Sequence, residues 1–150
     1  MLVCVVLREN STAALQILIA TNGNSDLDTV IPGLLNALKN PDATNQAIDD
    51  LASCVFVQDV EAPALAVIMP IIKRGLRAKI AEVQRKSCVI LDNVCRLVDD
   101  PKELTNAVPE ILPLLRSCAE NIGKPEARQI AERAVKTVLD HYDERIVLKK

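Results

Sequence analysis

Aromatic residues are almost missing from this chain of 150 residues: Phe56 and Tyr142 are the whole supply, and there is no tryptophan. Apolar residues nonetheless make up 49%, so the core must be built from Leu, Ile, Val and Ala, which suit close helix-on-helix packing. Histidine is nearly absent too. A single one, His141, excludes a catalytic pair or a metal site built on imidazole, and in a final helical turn it reads as a solvent-facing or C-terminal dipole residue. The four glycines stand alone. No G-x-x-x-x-G-K-[ST] run exists, and Gly123-Lys124 is followed by Pro125, so no loop is built to cradle a phosphate.

The five cysteines, Cys4, Cys54, Cys88, Cys95 and Cys118, form no C-x-x-C pair, and an odd number argues against a disulfide framework. They read as reduced, small apolar residues of a cytosolic or nuclear protein, with no activating partner in the sequence. Asp49-Asp50 and Asp99-Asp100 read as solvated surface. The expected catalytic residues, metals and cofactors are therefore none, and enzymatic activity from this chain is not expected. The opening MLVCVVLRENST is too short for a membrane span and lacks the basic start and small-residue cleavage site of a signal peptide. It reads as packed structure or a helix remnant. No run alternates with period two, which leaves no strand.

What is present is helical periodicity. Leu65, Ile68, Ile72 and Leu76 recur at three- and four-residue steps and share one helix face. After a basic connector, Lys79 to Lys86, a second helix carries Cys88, Leu91, Cys95 and Val98, flanked by Val83, Ile90, Val94 and Leu97. So broad a stripe needs more than one neighbour. Upstream, the pattern predicts helices over 11–22, capped by Ser11 or Thr12 and ended at Gly23, and over 28–39, lined by Ile31, Leu34, Leu35 and Leu38. A third, capped by Asp42, uses Ala47, Ile48, Leu51 and Val55. Pro63 suits the first turn of the central helix. Downstream, a short turn covers Lys102 to Leu104. Ile111, Leu115, Cys118 and Ile122 stripe the next helix. Ala127, Ile130, Ala131, Ala134, Val135, Val138 and Tyr142 line the last, and the tail from Asp143 to Lys150 is expected to fray.

An apolar-Pro-apolar core occurs three times, around Pro32, Pro70 and Pro113, each followed by an acidic residue opening a second helix: Asp42, Glu82 and Glu126. A period near forty fits HEAT-type repeats. Proline inside each first helix would remove a donor and bend it. The fold expected is all-α, a right-handed α-α superhelix of the HEAT/armadillo type with about three to four helical pairs. Residues 1–22 are expected to be an N-terminal helix or the remnant of a preceding repeat, and 23–150 a solenoid segment. Neither terminus carries a strongly polar capping helix, which suggests a piece of a longer solenoid that, in isolation, self-associates.

The net charge of −2 hides an asymmetry. Before residue 73 two basic residues face eight acidic ones; from Lys73 onward sixteen basic face twelve acidic. Lys73, Arg74, Arg77, Lys79, Arg85 and Lys86 lie within fourteen residues, opposed by Glu82. In a helix-turn-helix repeat they gather at the turn edge. There they form either a contact surface for RNA phosphates or acidic protein tails, or a solubilising rim with pairs such as Arg85 to Glu82. With no interleaved aromatic, base-stacking recognition of single strands is not expected.

Phe56-Val57, Ala62-Pro63-Ala64-Leu65-Ala66, Val83-Gln84-Arg85-Lys86, Asp92-Asn93 and Leu97-Val98-Asp99-Asp100-Pro101 together resemble the HEAT-repeat region of translation elongation factor 3. Pro125-Glu126-Ala127-Arg128 and Ala131-Glu132-Arg133-Ala134 extend the likeness. It covers the chain from about Asn22 and is weak over the first twenty residues. The giant HEAT activator of the amino-acid starvation kinase shares a related segment. The resemblance implies a ribosome-binding arm of a cytoplasmic ABC ATPase, docking on ribosomal RNA and protein, without the ATPase motifs themselves. The implied partners exclude membranes and small-molecule substrates. The alternative is a protein–protein scaffold of another large HEAT protein, of the kinase-activator or transport-receptor type.

Overall fold

The structure, a computed structural model, describes residues 25–142. The helix expected over 11–22, the opening apolar run, Cys4 and the tail from Asp143 lie outside the described residues. Six α-helices follow in order: α1 (Ile31–Lys39), α2 (Thr44–Ser53), α3 (Ala62–Leu76), α4 (Ala81–Leu97), α5 (Val108–Asn121) and α6 (Pro125–His141). Short 3-10 turns at Ser25–Leu27, Pro41–Ala43 and Pro101–Leu104 join them. Among the described residues there is no strand.

The helices form three antiparallel pairs, α1/α2, α3/α4 and α5/α6, stacked in order. First helices pack on first helices, α1 on α3 and α3 on α5; second helices do the same, α2 on α4 and α4 on α6. The result is two helical layers around one continuous core running from Leu27 to Tyr142. The central pair lies between the others, so α3 buries both sides of its stripe: Leu65, Val67, Ile68, Ile71, Ile72 and Leu76 are all out of water. The two aromatics contribute little: Tyr142 is buried at the end of α6, and Phe56 packs on the core from a loop. Leucine, isoleucine, valine and alanine do the rest, as the composition requires.

Gly75 is where absence of a side chain matters. A Cβ there would lie 2.2 Å from Ser87 Oγ on α4 and 3.1 Å from Ile48 Cδ1 on α2. Three helices therefore converge on one residue that has nothing to clash. Proline marks the helix starts. Pro63 and Pro125 occupy opening turns, where a missing donor is harmless.

Four local expectations change. Helix α1 begins at Ile31 rather than near Asp28, and Pro32 falls in its opening turn; the interior-proline argument therefore applies to Pro70 and Pro113 alone. Asp42 does not cap α2. Its own backbone N–H donates to the Asn40 side chain, 3.2 Å away, within the 3-10 turn that precedes the helix. Helix α2 stops at Ser53, so Val55 lies beyond it and is 75% exposed. Finally, Arg85 and Lys86 belong to the first turns of α4, leaving a connector of only 77–80.

Candidate binding edges of the stack

The turns within pairs, 40–43, 77–80 and 122–124, lie along one edge of the stack, and the turns between pairs, 54–61 and 98–107, along the other. The six basic residues singled out in sequence divide at the first edge. Lys73, in the last turn of α3, bridges to Glu110 on α5 at 2.7 Å. That ammonium, by hydrogen bond and charge, holds the Glu110 carboxyl below its usual range. Arg74 turns inward. Its guanidinium donates to the carbonyls of Ala37 and Leu38, at the end of α1, and lies 3.5 Å from Thr44 Oγ1. Those last-turn carbonyls have no partner within their own helix, so Arg74 is a clamp between pairs. Arg85 is paired with Glu82, whose carboxyl is lowered chiefly by that hydrogen bond. Lys86 bridges to Asp49 on α2 at 2.9 Å.

Arg77 and Lys79 remain. Both are exposed in the turn between α3 and α4, beside an Ile80 that is 52% exposed. Neither forms an ion pair among the described residues. Lys39, in the last turn of α1, and Lys124, just before α6, are exposed on the same edge. The charge of Lys124 reaches Glu82, which joins the turn of the third pair to the cluster. Lys124 was visible in sequence only as part of a helix-breaking Gly-Lys-Pro run.

The second edge has the opposite sign. Asp59, Glu61, Asp99, Asp100 and Glu103 are all exposed there. Near it lies a feature that sequence reasoning missed. Asp92 on α4 is 2% exposed. Its Oδ1 accepts from Thr137 Oγ1 at 2.5 Å and from Arg96 Nη2 at 3.2 Å, and its Oδ2 accepts from Arg133 Nε at 3.1 Å. A buried carboxylate so partnered meets the requirement for keeping charge out of water. Both arginines leave over half of their side chains in solvent.

Nucleophilic chemistry is disfavoured at Cys88 and Cys95. Burial pushes the Cys95 thiol up to about 12, and a hydrogen bond with Cys118, together with burial, raises Cys88. Neither supplies a thiolate near neutrality. No cluster of potential metal ligands exists among the described residues, and no helix there is long and apolar enough to cross a membrane.

Helix pairs stacked in this way define a HEAT-type solenoid segment. Residues 42–147 match the family described as Elongation factor 3/GNC1 HEAT repeat, and the chain belongs to that family. It is 42% identical over 116 residues to Elongation factor 3 of Phytophthora infestans, a span of 77% of this chain and 11% of that protein. Against Elongation factor 3A of Saccharomyces cerevisiae it is 34% identical over 128 residues, 85% of this chain and 12% of the relative. The mRNA export factor elf1 of Schizosaccharomyces pombe is 36% identical over 115 residues, 77% of this chain and 11% of its own length. The chain thus spans about a ninth of the length of these relatives.

Proposed function

We propose that this chain is the ribosome-docking scaffold of an elongation-factor-3-like translation factor, working in the cytoplasm on ribosomal RNA and ribosomal protein, and not its catalytic unit. The observation that carries the reading is the within-pair edge, where Lys39, Arg77, Lys79 and Lys124 stand exposed in successive turns. Such a row neutralises phosphates by counterion release without reading bases. The relatives named Elongation factor 3 supply the translation context.

The test is ribosome co-sedimentation of the whole chain against a variant carrying Arg77→Glu, Lys79→Glu and Lys124→Glu. These residues clamp no other helix, so the variant should fold with an unchanged far-UV spectrum. Its affinity should fall by about tenfold or more, with a shallower salt dependence. Unchanged pelleting would remove this edge as the contact. The scaffold alternative draws on the match to an mRNA export factor; it would be favoured by partner binding that persists after ribonuclease treatment.

A further inference from the structure

The loop after α2 displays Val55 and Val57, each 75% exposed, more than any other large apolar residue described. That exposure is built in. The N–H groups of Val57 and Gln58 donate to Asp26 Oδ2 at 2.8 and 3.0 Å, and Cys54 Sγ donates to the Asp26 carbonyl at 2.9 Å. At the far end of the loop, Val60 N–H donates to the Leu97 carbonyl at 2.9 Å. A segment tied at both ends holds its valines outward without a buried partner. Between it and the last turns of α4 runs an open groove of about 410 Å³, lined by Cys54, Val55, Phe56, Asn93, Arg96 and Leu97.

The groove has an apolar floor and one polar wall. On that wall Arg96 uses Nε and Nη2 on Asp92, with Nη2 also reaching Thr137 Oγ1 at 3.2 Å, and keeps Nη1 for solvent; Arg133, outside the groove lining, holds the other oxygen of the same carboxylate. Guanidinium groups already anchored at the back lose little freedom when they bind an anion at the front. We propose that this groove docks a short acidic–apolar peptide of a partner protein, with aliphatic side chains against Val55, Phe56 and Leu97 and a carboxylate on Arg96. A polyphosphate chain fits less well. The surrounding edge carries Asp59, Glu61, Asp99 and Asp100, which repel an extended polyanion but leave room for one carboxylate at Arg96. The surface is separate from the basic turn edge, so the proposal stands or falls independently of ribosome docking.

The experiment is selection of a phage-displayed random dodecapeptide library on the whole chain, with counter-selection on the Val55→Asp variant. The chosen peptides are then titrated by fluorescence anisotropy against wild type, Val55→Asp, Arg96→Gln and the double variant Arg77→Glu/Lys79→Glu. Selected peptides should place Asp or Glu within about four residues of Leu, Ile, Val or Phe, the reach of one helical turn or a short strand. Val55→Asp should weaken binding by about tenfold or more and Arg96→Gln by a smaller factor, while the variant at the opposite edge binds as wild type. Val55→Asp alters an exposed loop residue, so circular dichroism should match wild type. Three results would overturn the proposal: selected peptides without the acidic–apolar pattern, equal binding by Val55→Asp, or tighter binding of a labelled single-stranded RNA at the groove than of any selected peptide.

Discussion

Where the second helical pair meets the first, the contact is apolar and close: Ile48 of α2 is fully buried and reaches Gly75, and Arg74 clamps the carbonyls at the end of α1. Where the second pair meets the third, the seam contains a buried carboxylate, Asp92, bound to Thr137 and Arg133 of α6. The two seams join the same kinds of helix, and both carry charged side chains at their margins, yet among the described residues only the second buries a carboxylate. Aliphatic stacking alone is forgiving, because ridges of similar residues can slide by a turn at modest cost. A buried carboxylate has one satisfactory set of partners, so it fixes which turn of α6 lies against which turn of α4.

Breaking that pin should have the largest effect. Asp92→Ala removes the buried charge itself, so no uncompensated ion is left behind; the two arginines are already half in solvent and rehydrate. What remains is a cavity, the loss of the charge-assisted bonds to Asp92 and a Thr137 hydroxyl left with only the Arg133 carbonyl at 3.2 Å, which together cost about 2–3 kcal/mol. Urea unfolding of the whole chain would show the midpoint shift. The contrast between the seams sharpens with Asp92→Leu/Thr137→Val, an apolar replacement of the same heavy-atom branching, which should recover much of the lost stability. If it recovered none, the second seam would depend on charge for its stability and not only for its register.

At the first seam the sensitive residue is Gly75. Alanine is the better helix former by about 1 kcal/mol, but here the added methyl meets Ser87 Oγ and two Ile48 carbons. Ser87 cannot yield freely, because it is fully buried and donates to the Val83 carbonyl at 2.8 Å. Overpacking therefore wins, and Gly75→Ala should destabilise by about 1–2 kcal/mol net. Ser87→Ala in the Gly75→Ala background removes the nearest atom and should restore part of the loss, a coupling that a double-mutant cycle measures directly. Additive effects would mean that the seam is looser than its distances indicate.

The same contrast explains what could be read in advance. Three- and four-residue spacing of Leu65, Ile68, Ile72 and Leu76 placed the α3 stripe correctly, because one helix face needs only local sequence. Proline at 63 and 125 and the breaks at Gly123 and Asn40 marked turns by local backbone chemistry. The repeat of Pro32, Pro70 and Pro113 located the first helix of each pair, though a proline's position within its helix depends on where that helix starts. Asp92 was opaque. Arg96 is a local partner, but the two that cross the seam stand 41 and 45 residues away, and nothing in the run Leu91-Asp92-Asn93 separates a buried carboxylate from a solvated one. Arg74 is hidden for the same reason: a cation in a basic cluster reads as surface, while the carbonyls that bind it belong to another helix. Val55 looked like a continuing stripe because helix ends are decided by the next packing partner as much as by spacing.

The smallest effect separates the ion pairs that decorate the seams from the contacts that close them. Lys73 and Glu110 join α3 to α5 at 2.7 Å, with the glutamate side chain 60% exposed. The pair is open to water and salt, so Lys73→Met should lower the unfolding midpoint less than either change above, and less again at high ionic strength. Its pH dependence follows from the lowered carboxyl of Glu110. The folded-state value lies below the unfolded one, so the bridge contributes fully above the unfolded carboxylate range and is lost as pH falls through the folded value. The midpoint difference between wild type and Lys73→Met should therefore be present at neutral pH and vanish in acid, whereas the Gly75→Ala difference, which is steric, should persist through the same titration for as long as the chain stays folded. A Lys73→Met effect that persisted unchanged in acid would show that the lysine stem packs at the second seam and that its charge contributes nothing.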